Sequence, residues 1–174
     1  KFAEKMVKEL AKLTGLPGLE VAENKFETTH SMAPFLATSS ALRSMAVELL
    51  RICNDLRLMA SGPEAGFNEI RLPEVEPGSS IMPGKVNPSV LEALCMICTQ
   101  VIGLDASICL AAQKGEFELN WYTPLIACDL LHQIEILTNG MNMLREDCID
   151  GLRANEKEMR AVLENSCAMA TALV

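Results

Sequence analysis

Apolar residues recur at helical spacing along almost the whole chain. The first such segment is followed by Gly15 and Pro17, which predicts a helix that ends there. Little periodicity follows up to about Ala33, and a second, long helix is predicted from Pro34, a good first-turn residue, to about residue 60. Along this helix two sets of apolar residues each repeat every seven positions. The first set is Phe35, Leu42, Leu49 and Leu56, and the second, which lies between them, is Met45, Ile52 and Met59. This seam predicts long helices that cross at a shallow angle in a bundle.

A third helix is predicted from Pro88 to about residue 112, and it is apolar almost all round. Between Val90 and Ala112 only Glu92 and Asp105 are charged. Such a helix needs protein on every side, more than this chain readily provides. We therefore interpret it as the centre of an oligomer.

The last third of the chain continues the helical pattern. A fourth helix is predicted from Pro124 to about residue 145, with heptad repeats formed by Leu130, Leu137 and Leu144 and by Ile134 and Met141 between them. Asn155, followed three positions later by Glu158, is a variant of the capping box and predicts a short terminal helix. No stretch shows the strict alternation of a strand, so the predicted fold class is all-α, a long-helix bundle.

Residues 61 to 87 form a long connection rich in glycine and proline. A connection of this length inside a helical protein is unusual, and a functional loop is the usual reason for one. This segment is therefore the first place to look for chemistry.

Charge and composition exclude several classes of protein. The chain of 174 residues carries 15 Lys+Arg against 23 Asp+Glu, a formal net charge of −8, and 49% of its residues are apolar. The apolar share excludes a disordered acidic tail, and the negative balance argues against nucleic-acid binding. A local cationic site for a small anion remains compatible with it. The charged, periodic N-terminus is unlike a signal peptide, and no uncharged apolar run reaches the length of a membrane span. The opening at Lys1 indicates a piece of a longer chain.

The seven cysteines are odd in number and fall mostly in helix-like apolar stretches. Free, buried thiols of a cytoplasmic protein are the better interpretation than disulfides. Cys95 and Cys98 form a CxxC, but without a second Cys/His pair at metal spacing they indicate core packing. His30 and His132 are interpreted as ordinary structural residues, so no metal or cofactor site is predicted.

The segment 78–88, GSSIMPGKVNP, is the most informative one. It is not a phosphate-binding P-loop, because five residues separate Gly78 from Gly84 and Val86 follows Lys85. It presents two hydroxyls, a cation and a carboxamide. Lysine and asparagine together suit a carboxylate, and a serine becomes a base where a cation and N–H groups stabilise its oxyanion. From these residues alone, a Gly/Pro turn with incidental polar groups remains an alternative.

GSSIMPGKVNP resembles the signature loop of the fumarase/aspartase superfamily. Further matching stretches are NDLRLMASGP (54–63), QVIG (100–103), ELN (118–120) and GLRAN (151–155), so the resemblance covers essentially the whole chain. It implies the central long-helix domain over residues 1–148, with the active-site loop at about 61–87. Residues 149–174 would start the small helical C-terminal domain, and the assembly would be a homotetramer.

The resemblance also implies roles for individual residues. Ser79 would be the catalytic base and Ser80 would help to hold the substrate carboxylate, which Lys85 and Asn87 would bind. Glu92 would match the acid that pairs with a histidine of another subunit, although an acid in the first turn of a helix is also favoured by the helix dipole. The reaction would be reversible elimination of water or ammonia from a four-carbon dicarboxylate, giving fumarate.

A few positions indicate whether the group eliminated in the expected reaction is ammonia or water. Asn68 and the stretch SMAPF (31–35) are similar to aspartases, whereas Phe117 and Glu118 are similar to fumarases. Glu64 departs from the family's usual arginine, and Thr123 departs from both enzyme types. The expected activity is aspartate ammonia-lyase, with fumarate hydratase as the alternative and a non-enzymatic structural member as the rival. Because the family's active sites draw on three regions from different subunits, this segment alone is expected to be inactive.

Overall fold

The computed structural model of the chain describes residues 1–76, 78, 81–82, 84–167 and 170–171. The helices within these ranges are α1 (Phe2–Thr14), α2 (Lys25–His30), α3 (Ala33–Met59), α4 (Ser89–Ala112), α5 (Thr123–Leu144), a π-helical turn (Arg145–Ile149) and α6 (Glu156–Glu164). Two short strands, β1 (Ile70–Arg71) and β2 (Arg153–Ala154), pair with each other. The three long helices pack as α3 on α4 and α4 on α5. The all-α, long-helix prediction is confirmed.

The long helices begin and end within one or two residues of their predicted limits. Pro34 and Pro124 lie in the first turns of α3 and α5, where the missing proline N–H costs nothing. Gly15 ends α1 in the left-handed conformation, with φ of 70°. The six-residue α2 was not predicted, since it is too short to show periodicity; the Asn24 side chain caps it by accepting from the N–H groups of Phe26 and Glu27.

The buried seam of α3 differs from the prediction by one position. Its fully buried residues are the small ones Ser39, Ala46 and Cys53, while the predicted Met45 and Ile52 are exposed. The leucines of the predicted repeat are partly buried and flank this line: Leu42, Leu49 and Leu56. A prediction based on hydrophobicity places the larger residue of each adjacent pair in the helix contact. Close packing of two long helices instead buries the smaller residue.

The same correction applies to α5. Leu130 and Leu137 are buried as predicted, but Gln133 and Gly140 are buried in place of Ile134 and Met141. A Cβ on Gly140 would lie 3.0 Å from side-chain carbons of Leu94 and Ile97 on α4, so the absent side chain allows the close approach. The Gln133 amide instead donates a 2.9 Å hydrogen bond to the carbonyl of Val101.

The central helix α4 buries one face and exposes another. Leu91, Leu94 and Val101 are fully buried, whereas Met96 is 68% and Leu110 is 59% exposed. Within the described residues, α4 alone is long and apolar enough to cross a membrane by length and composition. It contains no uncharged run of that length, because Glu92 and Asp105 interrupt the apolar residues of this helix. Its burial against α3 and α5 is also what the middle helix of a bundle requires.

The two strands join the connection before α4 to the segment after α5. Ile70 pairs with Ala154 and Arg71 with Arg153, antiparallel. Strands of two residues carry no alternation, which is why the sequence predicts none. The capping box predicted at Asn155 is wrong: α6 does start there, but the Asn155 amide donates 2.9 Å to the carbonyl of Asn68 and makes no cap hydrogen bond.

The cysteines are all free, but only some of them are buried. Cys53, Cys98 and Cys148 are buried in one core cluster formed by α3, α4, α5 and the π-helical turn, and Cys95 is half-buried. The expectation of buried thiols is therefore wrong for the other three, which are exposed: Cys109, Cys128 and Cys167. Cys98 packs in the core, as predicted for the CxxC. The division of the chain at residue 148 stays a prediction.

Candidate active site

An open cleft of about 1020 Å³ lies where the end of α3, the connection after it and the start of α4 meet. Its polar lining residues are Asn54, Arg57, Ser61, Asn68, Arg71, Glu74, Lys85, Asn87 and Glu92. The long connection thus forms one wall of a large open cleft.

The charge of the cleft differs from that of the chain. Three cationic side chains line it, those of Arg57, Arg71 and Lys85, against the carboxylates of Glu74 and Glu92. The chain as a whole has a formal net charge of −8. A local excess of positive charge in an acidic protein is what a small anionic ligand requires.

A tight turn after α3 forms part of the cleft lining. The carbonyl of Ser61 accepts a 2.6 Å hydrogen bond from the Asn68 N–H, and its hydroxyl accepts one of 3.1 Å from the Phe67 N–H. Asn68 adopts φ of 51°, a conformation that asparagine tolerates better than most residues. A Cβ on Gly66 would collide with the backbone of Ser61, so the turn closes only around a glycine. These contacts fix Asn68 at the cleft.

Two glycines of the segment 78–88 allow the backbone to present Lys85. A Cβ on Gly78 would lie 2.8 Å from the Lys85 carbonyl oxygen, so this close approach requires glycine. Gly84, directly before Lys85, has φ of 76° in the left-handed region. At the other end of the segment, the Ser89 hydroxyl donates to the Glu76 carboxylate. Lys85 is thereby held in the lining of the cleft.

Glu92 lies in the first turn of α4 and faces α3. One of its carboxylate oxygens is 3.5 Å from a guanidinium nitrogen of Arg57, and both side chains are close to half exposed. The first-turn position also agrees with the helix-dipole interpretation of this acid. Within the described part of the chain, the ionic partner of Glu92 is Arg57. This arginine belongs to the NDLR stretch, and no role is predicted for it from sequence.

The structure brings together three of the five predicted site residues. Lys85, Asn87 and Glu92 line one cleft. Ser79 and Ser80 lie outside the described residues, so their roles stay predictions. Arg57 and Arg71 also line the cleft, and neither could be found from sequence because helix periodicity and a two-residue strand give no signal for them.

The two histidines lie apart from this lining. A Cβ on Gly115 would be 3.0 Å from the ring of His30, so this imidazole packs against the loop after α4. His132 on α5 places Nδ1 3.9 Å from a carboxylate oxygen of Glu135. Neither histidine is among the residues that line the cleft.

The buried thiols have low chemical reactivity. Burial raises the pKa of Cys53 to about 12 and that of Cys98 to about 11, and it also raises the pKa of Cys148. The neighbouring thiol of Cys95 adds to the effect on the first two. Because the thiolate is the reactive form, these groups are poor nucleophiles and poor metal ligands near neutral pH.

Comparison with known proteins places the chain among lyases. A family model described as "Lyase" matches residues 1–103, and the chain belongs to that family. Within it, the chain is a member of the fumarase/aspartase superfamily, as the signature loop implies.

Relatives with two different names support this assignment. The chain is 45% identical over 172 residues to the class II fumarate hydratase of Chromobacterium violaceum, covering 99% of this chain and 37% of the relative. It is 46% identical over 172 residues to the class II fumarate hydratase of Pseudomonas putida, covering 99% and 37%. It is 47% identical over 167 residues to the aspartate ammonia-lyase of Pseudomonas fluorescens, covering 96% and 35%.

Solved structures show the same fold. The chain superposes on a fumarate lyase:delta crystallin from Brucella melitensis with a TM-score of 0.94 and 44% identity, covering 99% of this chain and 40% of that one. It superposes on the class II fumarase of Schistosoma mansoni with a TM-score of 0.90 and 35% identity, covering 99% and 39%. The chain thus spans well under half the length of the proteins it matches.

Proposed function

We propose that the protein containing this chain is a fumarate hydratase, which adds water reversibly to fumarate to give L-malate. The observation that carries the proposal is the cleft in which Lys85 and Asn87 lie beside Arg57 and Glu92, in a chain whose relatives mostly bear that enzyme's name. The expected aspartate ammonia-lyase activity therefore becomes the second candidate. The names of the relatives favour water over ammonia as the group eliminated.

In the proposed reaction Lys85 and Asn87 bind one carboxylate of the substrate. The lysine supplies charge and the asparagine amide a directed N–H donor. When Ser79 removes the proton on the carbon next to this carboxylate, negative charge accumulates on the carboxylate, and Ser80 helps to hold it. Donors aligned before the reaction stabilise that charge in the transition state more than in the ground state, which is what lowers the barrier.

Glu92 has a supporting role in this proposal. Its ion pair with Arg57 joins the first turn of α4 to α3 beside Lys85. Since the carboxylate is close to half exposed, it is also accessible to a group from another subunit. A histidine supplied in that way would complete the acid–base machinery that the superfamily resemblance implies.

A homotetramer located in the cytoplasm is the proposed assembly. Apolar side chains remain exposed on the long helices, with Met96 at 68% on α4 and Leu131 at 67% on α5. Large apolar side chains exposed on several helices favour association with further protein. The proposal also accounts for an apolar helix, α4, that buries only one of its faces.

Aspartate ammonia-lyase remains as a candidate because of two observations. The relative from Pseudomonas fluorescens with that name is 47% identical to the chain. In addition Asn68, which lies in the stretch similar to aspartases, lines the cleft and could meet the substrate.

The absorbance of fumarate distinguishes the candidates. The full-length protein is incubated in turn with L-malate and with L-aspartate, and fumarate is followed in the ultraviolet. Turnover of malate alone supports the proposal, and turnover of aspartate alone replaces it with the second candidate. If neither substrate is converted by a correctly assembled protein, the non-enzymatic interpretation gains.

A further inference from the structure

Two arginines stand directly opposite each other in the short sheet at the edge of the cleft. Arg71 of β1 pairs in register with Arg153 of β2. Residues directly opposite in an antiparallel pair point to the same face, with Cβ atoms about 4.5 to 5.5 Å apart. Like charges in that relation repel each other and destabilise the sheet.

No carboxylate of the described residues offsets this repulsion. Within the described ranges neither Arg71 nor Arg153 has a carboxylate oxygen within 4.0 Å, and both side chains are exposed. Four of the other five arginines do have such partners, and Arg160 is the exception within the described ranges: Arg43 pairs with Asp105, Arg51 with Glu48, Arg57 with Glu92 and Arg145 with Glu146. In an acidic chain, two adjacent arginines without a carboxylate partner are a distinct feature.

The sheet does not need these side chains for its own stability. Its backbone is secured next to the pair by the Asn155 N–H, which donates 2.8 Å to the carbonyl of Glu69. The Asn155 amide donates a second bond, of 2.9 Å, to the carbonyl of Asn68. The guanidinium groups are therefore free to bind something outside the sheet.

Arg71 also lines the cleft that holds Lys85. Arg153 does not line the cleft itself but lies beside Arg71 in the sheet, so the pair stands at the rim of the cleft. A guanidinium presents paired N–H donors that match two oxygens of one carboxylate or phosphate group.

We propose that Arg71 and Arg153 form a binding site for a small oxyanion at the rim of the cleft. The ligand is a doubly charged anion with at least two oxygens on one centre, either inorganic phosphate or a dicarboxylate. It neutralises the repulsion between the arginines and joins β1 to β2. None of the groups assigned to catalysis belongs to this site, although Arg71 lines the same cleft, and the inference does not rest on the proposed function.

The test measures anion binding to the full-length protein by titration calorimetry and thermal unfolding at low ionic strength. Inorganic phosphate and succinate are the probes, and acetate at matched ionic strength controls for screening. Arg71→Gln and Arg153→Gln are compared with Arg51→Gln, which removes an exposed arginine that has acidic neighbours on α3. Arg71→Lys keeps the charge and loses the paired donors.

Saturable binding that weakens about tenfold or more in both Gln variants, and not in Arg51→Gln, is the expected result. Without anion, Arg71→Gln should unfold at a higher temperature than the parent protein, because the repulsion is gone. Binding of phosphate alone or of succinate alone identifies the ligand. Absence of saturable binding, or equal binding by the parent and Arg71→Gln, would overturn the proposal. Malate turnover, measured separately, tests the proposed function whatever these titrations give.

Discussion

Ser39 in α3 donates a 2.7 Å hydrogen bond to the carboxylate of Asp105 in α4, where both residues are buried. The other carboxylate oxygen lies 3.3 Å from a guanidinium nitrogen of Arg43. A charge inside a helix interface is tolerated only when it is paired and hydrogen-bonded, and here both conditions hold. Because such contacts are directional, they fix how α3 and α4 lie along each other, which apolar packing alone leaves less defined.

Replacing Asp105 should therefore destabilise the fold. In Asp105→Ala the buried Ser39 hydroxyl loses its acceptor and Arg43 loses its counter-charge, so we expect the free energy of unfolding to fall by about 2 to 3 kcal/mol. Ser39→Ala should cost about 1 kcal/mol. Urea unfolding followed by circular dichroism measures both.

The control is Asp55→Ala, since Asp55 lies 3.8 Å from Arg51 on the exposed side of α3. Exposed pairs of this kind contribute less than about 0.5 kcal/mol. Equal losses from the Asp105 and Asp55 replacements would show that the buried network does not stabilise the helix interface.

The long helices were predictable from sequence, but the residues at their contacts were not. Proline and glycine residues at the helix ends locate α3, α4 and α5, because they act on the conformation of the local backbone. The seam is chosen by what fits between two helices, and at Ala46 and Gly140 a small residue fits best. Hydrophobicity scales rank Met45 and Met141 above these neighbours, so the pattern alone shifts the predicted seam by one position.

The buried thiols should resist alkylation under native conditions. Burial holds Cys53, Cys98 and Cys148 in the protonated form, which iodoacetamide attacks poorly, and also excludes the reagent. Mass spectrometry after brief treatment at mildly alkaline pH should find these three unmodified, and modified after treatment in urea. Cys167, which is exposed, should react in both states. Native labelling of Cys53 at the rate of Cys167 would contradict the buried position.

The same thiols should make stability depend on pH above the ordinary thiol pKa of 9.0. Above that value the unfolded chain releases these protons, while folded Cys98 keeps its proton up to about pH 11 and Cys53 up to about pH 12. Unfolding then releases protons, so the free energy of unfolding falls as pH rises, by at most about 1.4 kcal/mol per pH unit for each thiol. Urea midpoints measured between pH 9 and 11 should decline, and more gently in Cys98→Ala. An unchanged slope in that variant would exclude the thiol as the cause.

The catalytic proposal predicts a large loss of rate from Ser79→Ala. Removal of the base should lower kcat by about a factor of 100 or more, with the oligomer still assembled. Lys85→Met should lower kcat/KM by a similar factor, since the cation stabilises charge that grows during the reaction. Lys114→Met, which removes an exposed lysine at the end of α4, is the matched control. Near-normal turnover by Ser79→Ala would exclude this serine as the base.

Only part of the candidate site was within reach of sequence reasoning. The segment 78–88 could be found because its spacing and residue types match a family pattern, and Lys85 and Asn87 do line the cleft. Arg57 reaches the same cleft because one turn of α3 lies opposite the start of α4, as its 3.5 Å distance to Glu92 shows. Arg71 depends on a two-residue strand. Contacts of that kind arise between elements, and no local pattern records them.

The proposed assembly can be tested on the exposed face of α5. Leu131 is 67% exposed and packs on neither hydrophobic core, so Leu131→Glu should leave the protomer folded, with unchanged far-ultraviolet circular dichroism. If this face is buried between subunits, a carboxylate there would have to be desolvated without a partner, which costs several kcal/mol per interface copy. Light scattering after size-exclusion chromatography should then show species smaller than a tetramer, while the apolar replacement Leu131→Met keeps the parent mass. A tetramer that survives Leu131→Glu would move the interface to another face, and the exposed Met96 on α4 would be the next position to change.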